Sequence, residues 1–328
     1  MRHADTIVVG GGPAGSTCAS RLVANGHDVL VLDKSPFPRL KLCAGWITEK
    51  AMADLGFTPA DYPHSILKLD IRTHLPRVPF GLNWFPTPGD NYSIRRVEFD
   101  AWLLERSNAP VEIHDVKSIR REPDGFIIDD TFKCRHIVGA GGSMCPVRRS
   151  LIETKRNKSV QIATLELEFD YPQRQDICRL YFFQRGLKGY AWYVPKGGGV
   201  VNIGIGGKSK YFRKSGTNIH DHFQKFLSDL VSEGRLDKDT AASIKPTGHP
   251  YYLYTRSGPA TDDRCYLIGD SAGLASLDLG EGIGPAIESG MMVADEILGQ
   301  GVYDKNAVTY YTFSGLAHRM MRRFIRPK

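Results

Sequence analysis

No stretch of the chain reaches the roughly 18 uninterrupted apolar residues that a membrane-spanning helix needs, so no span is expected. The N-terminus, Met1-Arg-His-Ala-Asp5, runs directly into a short apolar segment and lacks the longer apolar core of a secretory signal, which leads to the expectation of a cytoplasmic protein. Cysteine is sparse: Cys18, Cys43, Cys134, Cys145, Cys178 and Cys265 occur, none paired as C-x-x-C. This excludes a zinc knuckle and a thioredoxin motif and points to reduced thiols. The histidines have no metal-ligand spacing, so no metal is expected. A G-x-S-x-G elbow and a Ser-His-Asp order are both missing. Basic residues interleave with aromatics only near the C-terminus, and no helix-turn-helix or RNP pattern appears, which argues against a nucleic-acid partner. Neither an internal repeat nor a low-complexity linker is present.

Glycine, by contrast, is abundant. The chain has 34 among 328 residues, against an average of roughly 7%. Without a repeat period, that excess predicts tight turns and close approach of backbone to a ligand. The net charge of +7 is compatible with an anionic cofactor, an acidic membrane or nucleic acid, and does not choose among them. The length suits one large or two intimately joined domains.

Thr6–Val9 reads as a buried strand, Ala14–Ala24 as a helix stopped by Gly26, and Val29–Leu32 as a second strand ending at Asp33. Strand, glycine turn, helix, strand is a βαβ unit, which opens a parallel sheet. Arg96–Arg106 has an apolar helical face through Phe99, Trp102 and Leu103. Val111–Arg120 and Gly125–Thr131 read as strands joined at Asp124-Gly125, and His136–Ala140 as another buried strand. Val160–Phe169, Leu180–Phe183, Ala191–Val194 and Val200–Ile205 form a β-rich middle. Helices are predicted over Ile219–Leu230 and Gly284–Leu298, with a last buried strand at Tyr266–Ile268. The expected fold is therefore α/β: a Rossmann-like nucleotide-binding domain from 1–70, 96–155 and 255–303, with an inserted, β-sheet-rich substrate domain from 71–95 and 156–254. A C-terminal amphipathic helix is expected over 304–328.

Two glycine-rich turns carry the chemistry. Gly10, Gly12 and Gly15 fit G-x-G-x-x-G, with Pro13 and Ala14 opening the helix. The first glycine permits the turn, the second lets a pyrophosphate approach the backbone, and the third lets helix and strand pack closely. Asp33 follows about 20 residues later at a strand end, where an acid accepts from ribose hydroxyls. At the other end of the chain, Gly269-Asp270 follows a buried strand, where Asp270 can hydrogen-bond a polyol. Gly282 and Ile283 precede a helix, and their amides can face the electron-rich edge of a flavin.

These segments resemble a flavoprotein of the aromatic-hydroxylase fold and, within it, the geranylgeranyl reductase family. The resemblance also rests on Pro38-Arg-Leu-Lys-Leu-Cys-Ala-Gly45, on Arg96 with Phe99 and Asp100, and on Trp192-Tyr-Val-Pro-Lys196. It implies FAD as cofactor. Ala14 and Asp33 would hold pyrophosphate and ribose, with Lys34 beside them, and Arg39 would lie close to the phosphates. Cys43, Ala44 and Gly45 would lie near the flavin, and Arg96 would contact the cofactor from its helix. Val116 would flank the adenine, Gly269 and Asp270 the ribitol side, and Gly282 and Ile283 the flavin ring. Tyr190, Trp192 and Tyr193 would line the substrate pocket. Cys43 is a candidate catalytic thiol, with plain packing as the alternative reading.

The chain departs from the family pattern in having Asp33 where Glu is usual and Gly139-Ala-Gly-Gly142 where an Ala-Asp-Gly segment is common. It also ends soon after the last FAD motif, which implies a smaller or differently closed pocket. The resemblance implies a reductase of carbon–carbon double bonds in a small hydrophobic, isoprenoid-like substrate, fed by an external electron donor, NAD(P)H or a redox protein. A flavin monooxygenase or halogenase, and a flavin electron carrier without turnover, are the alternatives. Phe313, Leu316, Met320 and Phe324 share one helical face, and Arg319, Arg322, Arg323, Arg326 and Lys328 add five positive charges. That helix either packs on the FAD domain or rests peripherally on an anionic membrane surface.

Overall fold

A computed structural model describes residues 1–76, 84–86, 90–152, 157–172, 176–214 and 218–308. Of the C-terminal helix expected over 304–328, residues 304–308 are not helical, and the rest, with Phe313 to Lys328, lies outside the described residues.

Five strands run parallel in the order β18 (Cys265–Leu267), β11 (Phe132–Gly139), β1 (Arg2–Val9), β2 (Val29–Asp33) and β8 (Val111–Ile113). Their apolar runs are continuous because both faces are covered. Val8, Val31 and Val138 point to one side, against Leu22 of α1 (Pro13–Ala24) and Val293 of α8 (Ile283–Ile297). Ile7, Leu30, Leu32 and Ile137 point to the other, against Phe126 and Phe132. The long strand β11 changes partner along its length. Phe132–Cys134 pair with β10 (Gly125–Ile128), itself in a hairpin with β9 (Ile119–Glu122), whereas Ile137–Gly139 pair with β18. The short strand β17 (Thr261–Asp262) closes the edge beside β18.

The second sheet has the order β16 (Thr247–Tyr252), β12 (Gln161–Asp170), β15 (Val200–Lys208), β14 (Gly189–Lys196), β13 (Ile177–Phe182), β5 (Asp70–His74) and β6 (Trp84–Pro86). One face is covered by α6 (Ile219–Ser232), whose Phe223, Phe226, Leu227 and Leu230 meet Leu165, Tyr181, Tyr193, Ile203 and Ile205. Asn218 opens α6 with a reciprocal capping box to Asp221. A third, three-stranded sheet joins β3 (Trp46–Thr48), β7 (Asn91–Ile94) and β4 (Ile66–Lys68). The remaining helices are α2 (Glu49–Asp54), α3 (Arg96–Arg106), α4 (Pro146–Leu151), α5 (Ser209–Lys214) and α7 (Lys238–Ser243).

One expectation is corrected. Val111–Arg120 is not one strand: β8 ends at Ile113 and β9 starts at Ile119. Between them the Asp129 carboxylate gathers the amides of Lys117 (3.0 Å) and Ser118 (2.6 Å) and faces His114 Nε2 at 2.7 Å, which bends the chain and turns Val116 inward. The strand Thr247–Tyr252 carries Gly248 and Pro250, residue types uncommon inside strands. It forms as an edge strand that pairs, among the described residues, with β12, where a proline costs no ladder bond to a second neighbour.

Candidate active site

The C-terminal ends of β1 and β2 open into a cleft of ≈ 670 Å³ that extends to the face of the second sheet away from α6. That size is within the range of small-molecule and cofactor sites. At one end is the first glycine turn. Gly10 has φ +114°, and a Cβ there would lie 2.5 Å from the Ala140 carbonyl oxygen, so only glycine fits. A Cβ on Gly15 would come within 1.9 Å of the Gly10 carbonyl, which explains the tight seat of α1 on β1. Helix α1 begins at Gly12 without any side-chain cap and without an acid in its first turn. Its first amides therefore present partial positive charge to the cleft, with Gly12, Pro13 and Ala14 in the wall. Arg39 reaches the same spot: its Nη2 would be 3.8 Å from a Cβ on Gly12, and its guanidinium lies over the Phe37 ring.

Asp33, at the end of β2, is buried and accepts from the amides of Gly11 (2.8 Å) and Ser35 (3.0 Å). It fixes the turn from below and remains in the cleft wall beside the exposed Lys34 and the buried Val116. Helix α3 delivers Arg96, held by Asp100 through bonds of 2.6 and 2.8 Å with both side chains buried. Burial works against the Arg96 charge, but the Asp100 carboxylate more than offsets it, and Arg96 also reaches the Cys43 side chain. Cys43 is a half-buried free thiol in the cleft wall, with Ala44 beside it, and its Sγ accepts from the Gly45 amide at 3.3 Å.

Beyond Cys43 the wall is the second sheet. Cross-strand rungs bring Glu166, Gly204 and Trp192 into one row, and Thr164, Gly206 and Tyr190 into the next. Gly204 is required there: a Cβ would lie 2.3 Å from the Trp192 ring and 2.7 Å from Glu166 Cβ. The indole lies across β15 and donates from Nε1 to Asn202 Oδ1 at 2.7 Å. Asn202 in turn donates from Nδ2 to the Cys43 carbonyl and to Glu166 Oε2, both at 3.3 Å. Lys196, fully buried, pairs with Glu168 at 2.6 Å and donates to the Ile94 carbonyl at 2.9 Å. Tyr190 donates its hydroxyl to the Leu279 carbonyl. Leu180, Val194, Leu279 and Trp46 complete an apolar wall.

At the start of α8, Gly282 and Ile283 line the cleft with Asp270. Sequence reasoning left out their neighbour Glu281. Its carboxylate accepts from the Gly284 amide at 2.7 Å and also bonds the Ile283 amide, so the side chain already caps this helix. Burial pushes the Glu281 carboxyl up to about 7 against those amide bonds, with Asp278 and Asp270 adding to the rise.

Four candidates stand elsewhere than in the wall. Tyr193 alternates to the opposite face of β14 and packs under α6 in the core, because successive strand residues point to opposite sides. Gly15, Gly45 and Gly269 shape the backbone: a Cβ on Gly45 would lie 2.1 Å from the Ile94 carbonyl, and one on Gly269 would touch Ala14 and Ala286. Thr164, Glu166, His249 and Tyr251 line the cleft and were missed. The available signal was a charged residue between Leu165 and Leu167, inside a strand of the expected β-rich middle.

Residues 157–242 match the model of the geranylgeranyl reductase catalytic domain, and residues 8–97 that of an NAD(P)-binding Rossmann-like domain. The two matches cover the β-rich middle of the chain and its N-terminal nucleotide-binding turn. It is 28% identical to digeranylgeranylglycerophospholipid reductase 3 of Methanosphaera stadtmanae, over 89% of this chain and 76% of the relative. It is likewise 28% identical to menaquinone reductase of Mycolicibacterium smegmatis, over 92% of this chain and 78% of that one. Among solved structures, a geranylgeranyl bacteriochlorophyll reductase-like protein of Thermoplasma acidophilum superposes with a TM-score of 0.73 at 19% identity, covering 99% of this chain and 84% of that one. A flavin-dependent brominase gives 0.71 at 17% identity, covering 93% and 82%. These structures share the aromatic-hydroxylase-like fold. With a match to the geranylgeranyl reductase catalytic domain and relatives named as reductases, the protein is an FAD-dependent oxidoreductase. The uncapped, acid-free start of α1 and a cleft whose wall runs from Gly12 to Gly282 fit that dinucleotide. Among the described residues no helix is long and apolar enough to cross a membrane, and no His/Cys/Asp/Glu group could hold a metal.

Proposed function

We propose that the protein saturates carbon–carbon double bonds of a hydrophobic, isoprenoid-like substrate. The observation that carries this reading is the apolar wall of Trp192, Leu180, Val194, Leu279 and Trp46 facing Cys43, at the end of the cleft away from the glycine turn. Part of that wall lies in the stretch matching the geranylgeranyl reductase catalytic domain. FAD, when bound and reduced, supplies a hydride. The chain's residues do the rest. The first amides of α1 and Arg39 bind the pyrophosphate, and Asp33 and Val116 flank the adenosine. Arg96, held by Asp100, orients Cys43. Trp192 and Tyr190, tied down through Asn202 and the Leu279 carbonyl, keep water from the reacting carbons. The naming of two relatives as reductases of a digeranylgeranyl lipid and of menaquinone supports a long prenyl chain as the substrate class.

An external donor, NAD(P)H or a redox protein, reduces the cofactor, and the basic C-terminal segment holds the protein peripherally at an anionic membrane. Product analysis tests the central reading: anaerobic, dithionite-reduced enzyme mixed with a geranylgeranyl lipid gives a product heavier by two hydrogens for each bond reduced. A hydroxylated or halogenated product formed only with oxygen would replace the reductase reading by a monooxygenase or halogenase.

A further inference from the structure

Glu166 stands in the cleft wall, yet neither the cofactor contacts nor the apolar wall requires a carboxyl there. It projects from β12 beside Gly204, in the row that ends in Trp192. Its side chain is only 2% exposed, while that of His249 on the edge strand β16 is 25% exposed. Glu166 Oε1 lies 3.5 Å from His249 Nδ1, and Oε2 accepts from Asn202, which also bonds the Cys43 carbonyl and the Trp192 indole. One carboxyl oxygen is thus anchored to the groups that define the substrate end of the cleft. The other points along a short path through an imidazole toward water.

Resting on the reductase reading above, we propose that Glu166 is the catalytic acid that protonates the substrate, and that His249 relays its replacement proton. The double bond gains a hydride from the reduced cofactor at one carbon and a proton at the other. The Glu166 O–H bond breaks and a new C–H bond forms with the π electrons. The cofactor is oxidised by two electrons, and the carboxylate is reprotonated from water through His249.

The other groups in the wall suit the role less well. Tyr190 spends its hydroxyl proton on the Leu279 carbonyl, and burial makes both it and Tyr251 weaker acids. Glu281 is bound to the amides of α8. Burial raises the Glu166 carboxyl to about 7, against the pull of Asn202 and of the cations facing it: Lys196 from β14, Lys41 from the loop before β3, and Arg96 from α3. Glu168, next along the same face of β12, is neutralised by Lys196. Burial, together with Lys41, lowers His249 to about 4, so its ring is neutral and free to pass a proton near pH 7. A general acid with this range is half protonated at neutral pH, where such catalysis is most effective.

The test uses FAD-loaded, pre-reduced enzyme mixed anaerobically with geranylgeranyl diphosphate. In the wild type, the single-turnover rate of flavin reoxidation should fall as pH rises through about 7, because the acid form is lost. Glu166→Gln should retain FAD and be reduced normally by dithionite, but reoxidise on the order of 10²- to 10⁴-fold more slowly, without that limb. His249→Gln should slow multiple turnovers more than the single turnover, and an equal effect on both would overturn the relay. A Glu166→Gln rate within about threefold of wild type, or an unchanged limb, overturns the proposal. If reduced wild type does not react with the prenyl substrate, the reductase reading fails, and infrared titration then decides Glu166 by itself. A protonated-carboxyl band that disappears between pH 6 and 8 and is missing in Glu166→Gln supports a proton store there; no such band overturns it.

Discussion

At the residue scale, the site depends on a few side chains with no freedom to move. Arg96 and Asp100 are buried together. Asp100→Asn leaves the guanidinium without its counter-charge in a desolvated place, and a loss of about 3–5 kcal/mol in unfolding free energy is expected by urea titration. A loss under about 1 kcal/mol would mean that water reaches Arg96. Gly204→Ala forces a methyl into the Trp192 ring, so destabilisation of about 1–3 kcal/mol and a changed tryptophan emission are expected. Cys43→Ser should keep FAD and alter turnover or the flavin potential, since the thiol lies between Arg96 and the Gly45 amide. Unchanged kinetics and spectrum would reduce Cys43 to packing.

What could be read from the sequence at this scale was uneven. Gly10, Gly12 and Asp33 announce themselves by spacing, because a phosphate-binding turn tolerates few alternatives. The family resemblance implies both Trp192 and Tyr193 as pocket residues, yet adjacent strand residues point to opposite faces, and of the two Trp192 meets the cleft. Glu166 and His249 meet diagonally across the pairing of β12 with β16, 83 positions apart in the chain, which no local pattern reveals.

At the element scale, long amphipathic and fully apolar segments were legible. Helix α3 runs over Arg96–Arg106 as its apolar face requires, and β1, β2 and β11 follow their β-branched runs. The three-residue strands β3 and β4 were not legible, because they gain their stability from the third sheet and carry too few residues for a period. Glycine at the start of α1 leads to a direct expectation: Gly12→Val should fold but fail to load FAD, since its side chain would enter the space in front of the uncapped amides. Retained flavin absorbance after gel filtration would contradict it.

The bend between β8 and β9 responds to pH. Burial alone would raise the Asp129 carboxyl, but the amides of Ser118 and Lys117, with His114, lower it overall. A folded-state value below the unfolded one contributes stability above the ordinary aspartate range, and that contribution is lost as pH falls through the folded value. Urea midpoints of wild type and Asp129→Asn should therefore differ at pH 7 and converge below about pH 4. A difference independent of pH would contradict this.

At the scale of the whole molecule, a parallel sheet supplies the nucleotide end of the cleft and an antiparallel face supplies the apolar end. The two glycine turns come from opposite ends of the chain and meet where α8 crosses α1: a Cβ on Gly290 would lie 2.5 Å from the Ala14 carbonyl. Cofactor binding should therefore tie distant segments together and raise Tm in proportion to the logarithm of free FAD concentration above its dissociation constant. The most direct measurement is anaerobic stopped-flow mixing of the FAD-loaded, fully reduced protein with a geranylgeranyl lipid. The account predicts return of the oxidised flavin absorbance in step with saturation of one double bond. Flavin that stays reduced until oxygen is admitted, and then forms a long-lived peroxyflavin band, would contradict it.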